Sequence, residues 1–117
     1  MFHPDYEIHM WGYRVDVEVM PTSTVGGHDF IEIHLGIPDS LHQRLESDES
    51  KPLQLITEGQ AAVNFLYSGY DEERRRNIWS ARITPQHGRA FSLMYGKHNY
   101  ASWKVNDGQV NLMERPI

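Results

Sequence analysis

The sequence predicts an α+β fold that is mainly antiparallel β-sheet, a curved sheet or partial barrel of about seven to nine strands with one or two short helices. Three observations carry this reading. Apolar residues alternate at period two along most of the chain, turn residues punctuate the alternating runs, and only Asp39 to Ser47 carries convincing helix-start signals.

The clearest run covers residues 77–114. Trp79, Ala81 and Ile83 share one face of a strand, while Ser80, Arg82 and Thr84 share the other. Pro85, Gln86, His87 and Gly88 then supply a turn. Phe91, Leu93 and Tyr95 form the next apolar face, and residues 96–99 form another turn. Trp103 and Val105 lead to Asp107-Gly108, a strong hairpin cue, after which Val110 and Leu112 give the returning strand its apolar side. Trp103 is expected to pack against the body of the sheet.

Earlier in the chain, Tyr6, Ile8 and Met10 alternate with polar neighbours, and after Gly12 the apolar set moves to Tyr13, Val15, Val17 and Val19. This change of phase predicts one bent strand over residues 6–20 with a bulge at Gly12; two strands joined tightly there is the alternative. Residues 21–27, rich in Thr, Ser and Gly, read as a loop. A strand follows over residues 28–35, with Ile31, Ile33 and Leu35 on one side and Phe30, Glu32 and His34 on the other.

Gly36 and Pro38 end that strand. Asp39 or Ser40 can cap a short helix, Ser40 and Gln43 have capping-box spacing, and Leu41 and Leu45 fall one turn apart. Residues 46–52 form an acidic loop. Leu53 to Thr57 reads as a strand, and residues 61–68 fit a strand better than a helix, because glycines flank them at hairpin-like distance. In residues 71–76, acids precede three arginines, which suits either one helical turn or a solvated connection.

With 117 residues, the chain is expected to form a single domain over 1–117. Its hydrophobic and charged fractions, 39% and 23%, are those of an ordinary folded protein. No run approaches membrane-spanning length and the start lacks a secretory pattern, so a cytoplasmic protein with no membrane partner is the default expectation. The absence of cysteine excludes disulfides and thiolate metal sites. A net charge of -5 argues against nucleic-acid binding by phosphate neutralisation.

Chemistry-bearing clusters each have a simpler explanation. His28, Glu32 and His34 share one face of a strand, with His9 and Glu7 on a neighbour, but His28 and His34 lie roughly 20 Å apart by strand rise, too far for one ion. No metal and no cofactor is expected. Asp16, Glu18 and Glu32 could supply a carboxylate pair for acid–base work, yet solvated charges on an open sheet face explain them. No activated serine and no phosphate-binding glycine loop is present, so no catalytic residue is assigned.

Two functions remain. The first is a small acidic, non-catalytic protein-binding domain, such as an inhibitor, an immunity protein or an accessory subunit, acting on a partner with a basic surface. Its candidate partner-binding residues are Glu46, Asp48 and Glu49 in one acidic cluster and Asp71, Glu72 and Glu73 in another. A homodimer is compatible with it. The alternative is a small enzyme or ligand-binding domain in which His9, Asp16, Glu32 and His34 point into a polar pocket on a curved sheet. If the polar faces of the first strands converge on an enclosed pocket, the second reading gains; if they face outward, the first does.

Overall fold

A computed structural model describes residues 2–25, 28–48, 51–84, 89–106 and 109–113. Its elements run β1 (Tyr6–Met10), β2 (Tyr13–Val25), β3 (His28–Ile37), α1 (Asp39–Ser47), β4 (Leu53–Thr57), β5 (Val63–Asn64), β6 (Leu66–Asp71), β7 (Arg76–Ile83), β8 (Ala90–Tyr95), β9 (His98–Asn106) and β10 (Gln109–Leu112). The strands form two five-stranded sheets, β1-β2-β3-β7-β6 and β10-β9-β8-β4-β5, antiparallel throughout. The fold is therefore mainly antiparallel β with one short helix. Among the described residues ten strands lie in two sheets, where one curved sheet or partial barrel of about seven to nine strands was expected, because β3 pairs with β7 and β4 with β8.

Alternation explains the core. Val15, Val17, Ile33 and Leu35 of the first sheet meet Leu55, Phe91, Leu93 and Trp103 of the second in one buried cluster. Each such side chain contributes about 1.5–3 kcal/mol by leaving water. The sheets are joined on both flanks. Along one, residues 63–71 pass from the second sheet to the first: β5 pairs with β4, β6 pairs with β7, and Phe65 is buried at the crossing, its amide donating to the Leu53 carbonyl at 2.8 Å. Along the other, the Trp103 indole donates to the Tyr6 hydroxyl. α1 buries Leu41 and Leu45, while its His42 accepts a hydrogen bond from the Trp79 indole at 3.0 Å.

Several expectations are corrected. Over residues 6–20 the alternative of two strands joined tightly at Gly12 holds and the single bent strand does not: β1 and β2 form a hairpin with Met10 opposite Tyr13, closed by Trp11 (φ 53) and Gly12 (φ 78). A two-residue turn pairs positions three apart, so it shifts the apolar phase by one just as a bulge does. The loop expected at 21–27 is strand through Val25; Gly26 and Gly27 lie outside the described residues. Pro21 is tolerated because the β1 pairing stops at Val17, leaving β2 one neighbour at that point.

α1 begins without the Ser40–Gln43 box: Pro38 takes the cap position, and the Asp39 carboxylate accepts from the Asn77 side chain at 2.8 Å. Residues 61–68 are extended only from Val63, in two strands interrupted at Phe65. Of the two readings of residues 71–76, the solvated connection holds and the helical turn does not: the segment joins β6 to β7 as a hairpin, with Asp71 paired to Arg76. Leu112 is exposed, although Val110 packs on the core. The turns at 85–88 and at Asp107-Gly108 lie outside the described residues.

Residues 2–5 form a strap over the outer face of the first sheet. The Asp5 amide donates to the Val17 carbonyl at 2.7 Å, and the Val19 amide returns a bond to the Asp5 carboxylate at 2.9 Å. Phe2 is buried on Gly36, where a Cβ would stand 2.9 Å from the Phe2 ring. Only glycine leaves room for that approach.

Candidate functional site

Asp16, Glu18 and Met20 of β2 and Glu32 and His34 of β3 project from the outer face of the first sheet, away from the apolar core. There the Glu18 side chain is buried, unlike the solvated charge its position suggested. Its Oε2 accepts from the His3 amide at 2.8 Å, and its Oε1 stands 3.1 Å from His34 Nδ1, within ion-pair range. His34 Nε2 lies 3.2 Å from Glu32 Oε1, and Glu32 Oε2 lies 3.3 Å from Arg82. Burial pushes the Glu32 carboxyl upward, but hydrogen bonds from His34 and Arg82, with their charges, outweigh it and hold the group below the usual carboxylate range.

Of this chain of charges, His34 lines an open groove of about 430 Å³. Phe2, Met20 and Ile78 form apolar walls, and Tyr70, Asp71 and Glu73 line its side toward β6. β6 is an edge strand among the described residues, so one row of its backbone donors and acceptors has no strand of theirs opposite it. Leu66, Tyr67 and Tyr70 on β6 are exposed, Leu66 by 69%. Large apolar residues left open on a sheet edge mark a recognition surface more often than a solvated face.

The predicted partner-binding residues divide between two places. Asp71, Glu72 and Glu73 sit in the β6–β7 connection beside this edge; Asp71 accepts from the Arg74 amide at 3.0 Å, and Glu72 and Glu73 are exposed. Glu46 stands in the last turn of α1 and pairs with His42 Nε2 at 2.8 Å. Asp48 follows α1, 3.9 Å from Lys51, and Glu49 lies outside the described residues. The second triplet thus lies beside exposed Tyr70 on β6 itself, while Glu46 of the first reaches exposed Tyr67 only through His42, whose ring lies 5.1 Å from the tyrosine's. Asp16 pairs with Arg76 at 3.4 Å, and Glu7 with Arg14 at 2.7 Å.

The Leu66, Tyr67 and Tyr70 edge was missed in the sequence. Its signal was available: consecutive apolar residues at 66 and 67 break the alternation, placing an apolar side chain on each face of one strand. The Glu18 contact to the strap carried no sequence signal, since residues 2–5 have no periodicity. Among the described residues, no group of three or more His, Asp or Glu side chains is arranged to hold a metal ion. No helix among them is long and apolar enough to cross a membrane. Comparison with protein-family models, curated proteins and solved structures finds no match.

Proposed function

We propose that the chain is a non-catalytic binding domain acting on a protein with a basic surface, and that the β6 edge and its groove form the contact. The observation that carries this reading is the exposure of Leu66, Tyr67 and Tyr70, spread over both faces of the β6 edge, beside Asp71, Glu72 and Glu73. Aromatic anchors supply desolvated contact area, while the carboxylates steer a cationic partner and pair with it. In the groove, a Lys or Arg side chain of the partner would lay its stem against Phe2, Met20 and Ile78 and place its charge between Asp71 and Glu73. Tyr70 offers that cation an aromatic face. The outward direction of Glu32 and His34 adds support, since a polar pocket inside a curved sheet would need these groups turned inward.

Affinity capture with the wild-type chain and with Asp71→Lys/Glu72→Lys/Glu73→Lys, read by mass spectrometry, tests the proposal. A basic protein retained by the first and lost by the second is expected, with an unchanged melting temperature. Association of that protein should slow in the charge-reversed variant and lose most of its salt dependence. Equal capture by both chains, or a captured partner without a basic surface, overturns the assignment.

A further inference from the structure

A second hollow, of about 440 Å³, lies between the β1–β2 turn and the β8–β9 turn. Trp11 and Tyr95 wall it, with their rings edge to face at 5.0 Å. Lys51, Lys97 and His98 stand around it. Two of the three lysines in the chain are therefore gathered at one place in a protein of net charge -5. A third cation is close by: the Arg44 guanidinium lies 5.2 Å from the centre of the Trp11 ring. Lys51 spends part of its charge on Asp48 at 3.9 Å, but Lys97 pairs with no carboxylate among the described residues.

The backbone points to the same place. Trp11 holds a left-handed conformation (φ 53) that a bulky side chain rarely adopts. The two-residue β1–β2 turn requires a positive φ at both Trp11 and Gly12, and it sets the indole, 40% exposed, against the hollow. Tyr95 and Arg44 hold the ring there. The Tyr95 hydroxyl, in turn, is buried with no hydrogen-bond partner among the described residues. On the opposite side, Gly96 (φ 61) brings the β8–β9 turn up to the Lys51 stem, where a Cβ on Gly96 would come within 3.7 Å of Lys51 Cδ, and Lys97 follows it on the rim of the same hollow.

We propose that this hollow binds a small aromatic anion, such as an aromatic carboxylate, with its ring against Trp11 and Tyr95 and its charge between Lys51 and Lys97. The flat walls select planar apolar groups, and the lysines select the sign of charge. The site is separate in place and opposite in charge preference from the β6 groove, and it does not depend on the partner proposed there.

The test uses the full chain and sodium 2-naphthoate as the probe. Trp11, Trp79 and Trp103 give three indole N–H signals in a nitrogen-correlated proton spectrum. Titration should move the Trp11 signal saturably and leave Trp103, in the core, unmoved. The cationic analogue 2-naphthylmethylamine should not move it. Replacing both lysines, Lys51→Ala with Lys97→Ala, should weaken 2-naphthoate binding by roughly tenfold or more, with Lys104→Ala as an unaffected control. The Trp79 and Trp103 signals report in each case that the variant is folded. A Trp11 signal that does not move, equal binding of the amine, or equal affinity in the double variant overturns the proposal.

Discussion

The Trp103 indole of β9 donates to the Tyr6 hydroxyl of β1 and so fastens the second sheet to the edge of the first. Trp103 is fully buried and stacks on Phe91, with ring centroids 5.4 Å apart. Trp103→Ala should therefore lower stability by about 3–5 kcal/mol, read by denaturant unfolding. Tyr6→Phe leaves the indole N–H without its acceptor and should cost about 1–3 kcal/mol. The two losses should fall short of additive when combined, since each removes the same bond.

The same pair sets an alkaline limit. Burial pushes the Tyr6 hydroxyl up from 10.0 to about 12; the bond from Trp103 opposes this and the Asp5 carboxylate adds to it. Between those values the folded chain keeps a proton that the unfolded chain releases. The contribution is thus complete below pH 10 and is lost as pH rises toward 12. Burial also raises Tyr95 and Tyr100, which act in the same direction. Denaturation midpoints measured across this range should fall, and should fall less in Tyr6→Phe.

Gly36→Ala should displace the Phe2 ring and loosen the strap. The new Cβ would stand 2.9 Å from the far end of the Phe2 side chain, which can yield more cheaply than backbone, so a cost near 1 kcal/mol is expected. Amide exchange at His3, which donates to Glu18, should quicken. In a Phe2→Ala background the same glycine substitution should cost little, and an unchanged penalty there would place the clash elsewhere, at Arg76.

Leu66→Ser and Tyr70→Ser should leave the melting temperature nearly unchanged, because both side chains are largely exposed, with stability effects within about 0.5 kcal/mol. Dissociation of a basic partner captured through β6 should become faster in both variants. Ile56→Ser, on the second sheet and also exposed, is the matched control and should not alter it.

Much of the fold was legible because one-sided burial writes itself into period two. Phe91, Leu93 and Tyr95, and likewise Ile31, Ile33 and Leu35, are buried as their alternation required, and Leu41 and Leu45 anchor α1 as their one-turn spacing implied. The β1–β2 hairpin stood only as the alternative to a bulged strand because its two-residue turn and a bulge change the apolar phase equally. Which strands share a sheet was not legible at all. Opposing Leu35 to Trp79 is a long-range choice that no local pattern records. At the candidate sites, the Asp71, Glu72 and Glu73 triplet could be named from charge alone. The exposed β6 edge and the hollow around Trp11 depend on distant segments meeting, and on a tryptophan in a turn where glycine or asparagine is usual.

The β3–β7 pairing also has a consequence for synthesis on the ribosome. Leu35 emerges 79 − 35 = 44 positions before its partner Trp79. At about 5–20 residues per second, that interval is roughly two to nine seconds. Throughout it β1, β2 and β3 can pair among themselves, but β3 must present an unpaired, strongly apolar edge. Newly made chains crowded on one messenger would meet through that edge first, making β3 the strand whose surroundings during translation decide the yield of folded protein.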